Sequence, residues 1–192
     1  GHLRVDARKG TVTTEIEPDD LVWLRTQTAD ITVEKQATEL LQLQTSGRSL
    51  ESIPGYACYR TVEETLASAD ALIAARPDLA SRIDIGDTWE KVTAGGNPGY
   101  DLVVLKLTNS AIPGPKPKMF AMTAIHAREY TTAELNTRFA EWLVNGHGTD
   151  PEATWLLDHN EFHLLLQSNP DGRKKAETGL SWRKNTNTAY CG

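Results

Sequence analysis

The 192-residue chain is poor in cysteine, with Cys58 and Cys191 alone, and it has two methionines, three phenylalanines and 7% aromatic residues. Two cysteines without metal-type spacing build neither a disulfide framework nor a zinc finger, and they leave open whether they pair. No apolar run approaches the ~20 residues that span a bilayer; the longest are strand-length. No block of Lys and Arg offsets the formal net charge of −6, which argues against nucleic acid and membrane as partners. A signal peptide is missing too, and Gly1-His2 open the chain in place of a methionine, so the natural N-terminus is expected upstream. What is present, 39% hydrophobic and 24% charged residues, is the make-up of a globular protein with one ordinary domain and a small extra piece.

The small piece is expected at residues 1–46. Thr11 to Ile16 reads as an extended segment, Glu17-Pro18-Asp19-Asp20 opens a short helix through Leu21, Val22 and Leu24, and Asp30 to Val33 reads as a second extended segment. Such a β-α-β unit buries little core. The polar stretch Gln44 to Ser49 and the turn at Pro54-Gly55 separate it from a main unit at residues 47–192.

In the main unit, Thr61-Val62-Glu63-Glu64 is a capping box, and Val62, Leu66, Ala69 and Ile73 fall on one helical face before Pro77. Strands are expected at Ser81–Ile85, Tyr100–Leu107, Met119 up to His126, and Glu161–Gln167. Between the last two, Thr131 and Glu134 form a second capping box. Leu135, Phe139, Trp142 and Leu143 carry that helix until Gly146 and Gly148, and Asp150-Pro151-Glu152 starts another through Trp155, Leu156 and Leu157. Helices alternating with apolar strands that barely alternate predict an α/β domain of three layers, α/β/α, around a mixed sheet.

The third of these strands runs straight into His126-Ala127-Arg128-Glu129. Imidazole and carboxylate suit Zn²⁺, and a catalytic zinc takes three protein ligands plus water, so this pair is half a site. Taken alone, His-x-x-Glu is weak; a hydrogen-bonded histidine at a strand end and a glutamate near a helix N-terminus explain it as well. Its position in a strand-to-helix connection adds weight, because ligands of open α/β sheets bind at the carboxyl ends of strands. After the fourth strand comes Asn169-Pro170-Asp171-Gly172, by itself a tight turn, and then Ser181-Trp182-Arg183-Lys184-Asn185, by itself a solvated cluster with one aromatic.

A strand ending in His-x-Arg-Glu, a helix, a helix-strand pair ending in Asn-Pro-Asp-Gly, and Trp-Arg-Lys some ten residues later closely resembles the zinc metallocarboxypeptidases of the carboxypeptidase A type, from about Pro54 to Cys191. The resemblance implies that His126 and Glu129 are zinc ligands, that Arg128 binds substrate, and that Arg183 polarises the scissile carbonyl and stabilises the oxyanion. It implies Zn²⁺ as cofactor, peptide or protein C-termini as substrate and a secreted protein, and it likens residues 4–43 to the end of the pro-segment of secreted members.

The family pattern also calls for a third ligand, a histidine, a general-base glutamate and an Asn-Arg pair for the substrate carboxylate, all expected beyond Gly192. The chain therefore reads as the N-terminal half of a catalytic domain, a truncated zinc-exopeptidase-like domain expected to be inactive alone. His147, His159 and His163 read as structural or surface residues. Two alternatives stand beside the carboxypeptidase: a zinc hydrolase of peptidoglycan peptides or acyl-amino acids, and a non-catalytic domain binding peptides or a protein partner.

Overall fold

The computed structural model describes residues 4–13, 18–27, 30–33, 53, 55–187 and 189. The chain divides into two compact units, Gly1–Arg48 and Ser49–Gly192. No helix among the described residues is long and apolar enough to cross a membrane. The expected strand residues 14–16, the linker 44–49, Pro54 and Cys191 lie outside the described residues.

In the first unit, β1 (Arg4–Asp6) pairs antiparallel with β2 (Thr11–Thr13), and α1 (Pro18–Gln27) follows. Asp6 Oδ1 accepts the amides of Arg8 and Lys9 at 3.1 and 3.2 Å, the aspartate chemistry that closes short turns. The helix lies where the sequence puts it. Asp30–Val33 does not form the expected second strand: β-branched residues favour a strand only through packing on neighbours, and β1 supplies the pairing instead.

The second unit begins with α2 (Val62–Ala75). Thr61 Oγ1 accepts from Glu64 N at 3.2 Å while Glu64 Oε2 accepts from Thr61 N at 2.8 Å, a complete capping box. There follow β3 (Ala80–Asp87), the single turn α3 (Trp89–Val92), β4 (Asp101–Leu107), β5 (Lys118–Met122), α4 (Tyr130–Gly146), α5 (Pro151–His159), β6 (Glu161–Leu165) and α6 (Pro170–Glu177). Asp150 caps α5 by accepting the amides of Glu152 and Ala153 at 2.8 and 3.0 Å, with Pro151 at the first helical position.

The strands form a mixed sheet in the order β3-β4-β6-β5, with β5 and β6 parallel and the other pairs antiparallel. One register line explains the core. Leu105 and Ala121 both sit opposite Leu164, and Leu107 and Met119 both sit opposite Phe162, so these residues share one face. Against that face pack Ala69 and Leu72 of α2, Ala140, Leu143 and Val144 of α4, and Leu157 of α5. Each fully buried leucine contributes about 1.5–3 kcal/mol from desolvation. The other face is less covered than unalternating strands led one to expect: Phe120 and Met122 of β5 remain 59% and 47% exposed.

Two local expectations fail. Thr131 does not cap α4; Glu129 occupies the cap position without a side-chain bond, and Thr131 Oγ1 donates to Tyr59 Oη at 3.1 Å. Its supposed partner Glu134 is buried and accepts instead from Arg60 N at 3.3 Å and Arg138 Nε at 2.8 Å. The inner face of α4 is consequently Ala133, Asn136, Thr137, Ala140, Leu143 and Val144, while Leu135 and Trp142 point outward. The second failure is Asn169-Pro170-Asp171-Gly172, which starts α6 rather than making a turn.

Candidate metal centre

The centre lies where β5 and β6 end side by side. Because the two strands are parallel with Met122 opposite Leu165, their following loops leave the same edge of the sheet. Thr123 N donates to Leu165 O at 3.0 Å, Ser168 N and Oγ donate to Thr123 O at 3.1 and 2.7 Å, and Asn169 Nδ2 donates to Ile125 O at 3.2 Å. Three residues, Thr123 to Ile125, lie between the last residue of β5 and His126, where the sequence suggested a strand reaching the histidine itself.

Within that loop Ala124 is buried and has φ 56°, left-handed backbone that an alanine adopts only at a cost of ~1–2 kcal/mol. Its amide donates to Thr132 Oγ1 at 3.1 Å. The chain then turns through Glu129 N to His126 O at 3.1 Å. Non-glycine residues held at positive φ cluster where function fixes the backbone.

His126 Nδ1 lies 3.0 and 2.9 Å from the two carboxylate oxygens of Glu129. Both side chains are partly exposed, at 34% and 48%. A nitrogen and a carboxylate oxygen this close, open to solvent on one side, can be reached by a single ion, and both donor types suit Zn²⁺ once the imidazole nitrogen is deprotonated. The donor chemistry fits zinc, with two ligands supplied. Among the described residues no group of three or more His, Cys, Asp or Glu forms a metal site. The other described histidines are engaged elsewhere: His147 Nε2 lies 3.0 Å from Asp158, His163 Nε2 lies 2.7 Å from Glu161, and the His159 ring packs on Trp155 with centroids 5.2 Å apart.

The arginines come from both motifs. Arg183 Nε is 4.0 Å from Glu129 Oε1, and its carbonyl accepts from Ala127 N at 3.0 Å. Arg128 Nη1 donates to Ser181 Oγ at 2.8 Å. The segment 181–183 is thus held against 126–129 by one backbone and one side-chain bond, and the Arg183 guanidinium stands beside Glu129. Sequence reasoning missed Ser181, Asn169 and Gly172 as parts of this arrangement. Asn followed by Pro was the available signal, since Pro at the first helical position after an Asn cap marks a helix start as well as a turn.

A His-Glu pair with Arg183 beside it stands where the parallel strands β5 and β6 end. The sequence profile of the zinc carboxypeptidase family matches residues 65–192, and the chain belongs to that family. It is similar to carboxypeptidase A1 of Rattus norvegicus, 31% identical over 153 residues that make up 79% of this chain and 34% of that protein. A zinc carboxypeptidase of Saccharothrix mutabilis subsp. capreolus is 30% identical over 135 residues, 68% of this chain and 29% of that one. The chain spans about a third of the length of the curated relatives it matches. Among solved structures, thrombin activatable fibrinolysis inhibitor superposes with a TM-score of 0.62 at 24% identity over 78% of this chain and 36% of the other. Carboxypeptidase A from Helicoverpa armigera gives 0.59 at 19% identity, covering 85% and 39%. Both show the α/β fold with its mixed sheet.

Proposed function

We propose that this chain carries the first part of the active centre of a zinc-dependent metallocarboxypeptidase, an enzyme that hydrolyses C-terminal peptide bonds of peptides or proteins. The observation that carries the reading is the convergence of His126 Nδ1 and the Glu129 carboxylate within 3.0 Å, with Arg183 4.0 Å from the same carboxylate. His126 and Glu129 would hold Zn²⁺, which supplies Lewis-acid polarisation of a carbonyl. Arg183 then has the role of stabilising negative charge as it develops on the carbonyl oxygen. A guanidinium suits this because it stays charged at any working pH and offers its donors in a fixed plane. Arg128, now on Ser181, is free to exchange that hydroxyl for a peptide carbonyl upstream of the cleaved bond.

The exposed position of the centre supports access by a chain end, and family membership supports a peptide substrate and a secreted protein. The unit Gly1–Arg48 precedes the matched region 65–192 and folds as its own hairpin and helix, which supports reading it as the end of a pro-segment.

The test uses the full-length protein and pairs of peptides differing only in a free or amidated C-terminus. Expected is release of the last residue from the free form alone, lost on chelation and restored by Zn²⁺. Cleavage of both forms, or cleavage unaffected by chelation, rejects the reading. Binding of the free peptide without hydrolysis points to a non-catalytic binding domain.

A further inference from the structure

The Asn169-Pro170-Asp171-Gly172 motif does more than begin a helix, because each of its end residues touches a different half of the metal centre. Asn169 is 7% exposed. Its Oδ1 accepts from Gly172 N at 3.2 Å, the ordinary helix cap. Its Nδ2 donates to Ile125 O at 3.2 Å, the carbonyl immediately before His126. A cap alone needs only an oxygen, and serine or aspartate would serve equally. The amide adds a donor, and the acceptor of that donor belongs to the ligand loop.

Gly172 meets the second half. A Cβ at this position would lie 2.6 Å from the carbonyl oxygen of Lys184 and 2.7 Å from both polar atoms of the Asn169 side chain. Real Cβ atoms do not approach backbone oxygen so closely, so the segment after Arg183 rests on the bare backbone of α6. Arg183 O is fixed from the other side by Ala127 N at 3.0 Å. The ligand loop and the arginine segment are therefore registered against the same helical turn.

We infer that Asn169 and Gly172 are positioning residues for the metal centre: Asn169 sets His126 through the Ile125 carbonyl, and Gly172 sets Arg183 through the Lys184 carbonyl. This rests on the reading of His126 and Glu129 as zinc ligands. Partners that orient a ligand without touching the metal typically change metal affinity 10–100-fold when removed. A ligand set with few members depends most on such orientation, since each donor must be preset.

The experiment measures Zn²⁺ affinity of the full-length protein by competition with a chromogenic chelator, with melting of the metal-free form alongside. Asn169→Ser and Asn169→Asp both keep an oxygen for the Gly172 amide and both lose the amide nitrogen that donates to Ile125 O. Each is expected to weaken zinc binding about tenfold or more, with metal-free melting close to wild type for the serine variant. Affinity within about twofold of wild type in both variants overturns the positioning role. So does an equal loss in Thr61→Ala, which removes a helix cap outside the centre, because affinity then merely follows stability. His126→Ala is the control and is expected to abolish binding. If it binds zinc like wild type, the ligand reading fails and this inference with it; if it does not bind while both Asn169 variants bind normally, only the positioning role is lost.

Discussion

The amide of Ala127 donates to the carbonyl of Arg183 at 3.0 Å, a backbone bond between residues 56 positions apart (183 − 127). It fixes the main chain of the arginine segment independently of the side chain. The guanidinium, 54% exposed, takes no part in that backbone contact.

That separation allows a clean kinetic test. In the full-length enzyme, Arg183→Ala should lower kcat by ~10²-fold or more while KM changes little, because the contact strengthens only as the carbonyl oxygen gains charge. Arg183→Lys keeps the charge and loses the planar fork, so it should recover part of the loss. Melting of both variants should stay near wild type. A kcat near wild type for Arg183→Ala would reject the oxyanion role.

Gly172→Ala should act on the same step from a distance. Its Cβ forces the Lys184 carbonyl away, and overpacking of a close backbone contact costs about 1–3 kcal/mol. Expected is a lower denaturant midpoint together with a fall in kcat that exceeds the change in zinc affinity. An unchanged kcat would show that the Arg183 segment tolerates displacement.

Ala124 offers a test of backbone strain next to the ligands. At φ 56° a β-branched residue is a genuine outlier, and the site is buried at 1% exposure. Ala124→Val should destabilise the full-length protein by about 2–4 kcal/mol, strain plus overpacking. Ala124→Gly removes the strain but loosens the unfolded chain, and it should stay within about 1 kcal/mol of wild type. Equal stability of the valine and glycine variants by chemical denaturation would contradict the left-handed conformation.

The polar end of the sheet predicts a pH dependence. Glu161 accepts from Lys106 at 2.8 Å and lies 2.7 Å from His163 and 3.3 Å from Lys118. Lys106 first, then His163, hold its carboxyl at about 2 instead of 4.5. A folded pKa below the unfolded one gives stability that is present above pH about 4.5 and is lost as pH falls towards about 2. Glu161→Gln should therefore be less stable than wild type at pH 6, with the gap closing between those limits. A gap of constant size from pH 6 to pH 2 would show that charge on Glu161 is not its source.

Zinc binding by the 192-residue chain alone should be weak. Two donors converge among the described residues, and two ligands in place of three leave the ion largely hydrated. Calorimetric titration is expected to show no tight stoichiometric binding. Tight binding would reveal a third donor contributed by this chain.

What the sequence determined by itself is everything whose cause is local. Thr61 and Glu64 cap α2 because the two partners are three residues apart, and Asp150 with Pro151 starts α5 for the same reason. The α/β class followed from apolar runs of strand length between helical repeats, and the His-Glu spacing kept both donors within one turn of chain. Tertiary structure decided the rest. Glu134 abandons Thr131 for Arg60, 74 residues earlier, because a buried carboxylate is better satisfied by a guanidinium and a backbone amide than by an exposed helix end. Leu135 and Trp142 turn outward once that choice fixes the rotation of α4. Arg183 reaches Glu129, and Asn169 reaches Ile125, only because β5 and β6 run parallel and end together. No spacing in the chain encodes that meeting, since it depends on which strands pair and in which register.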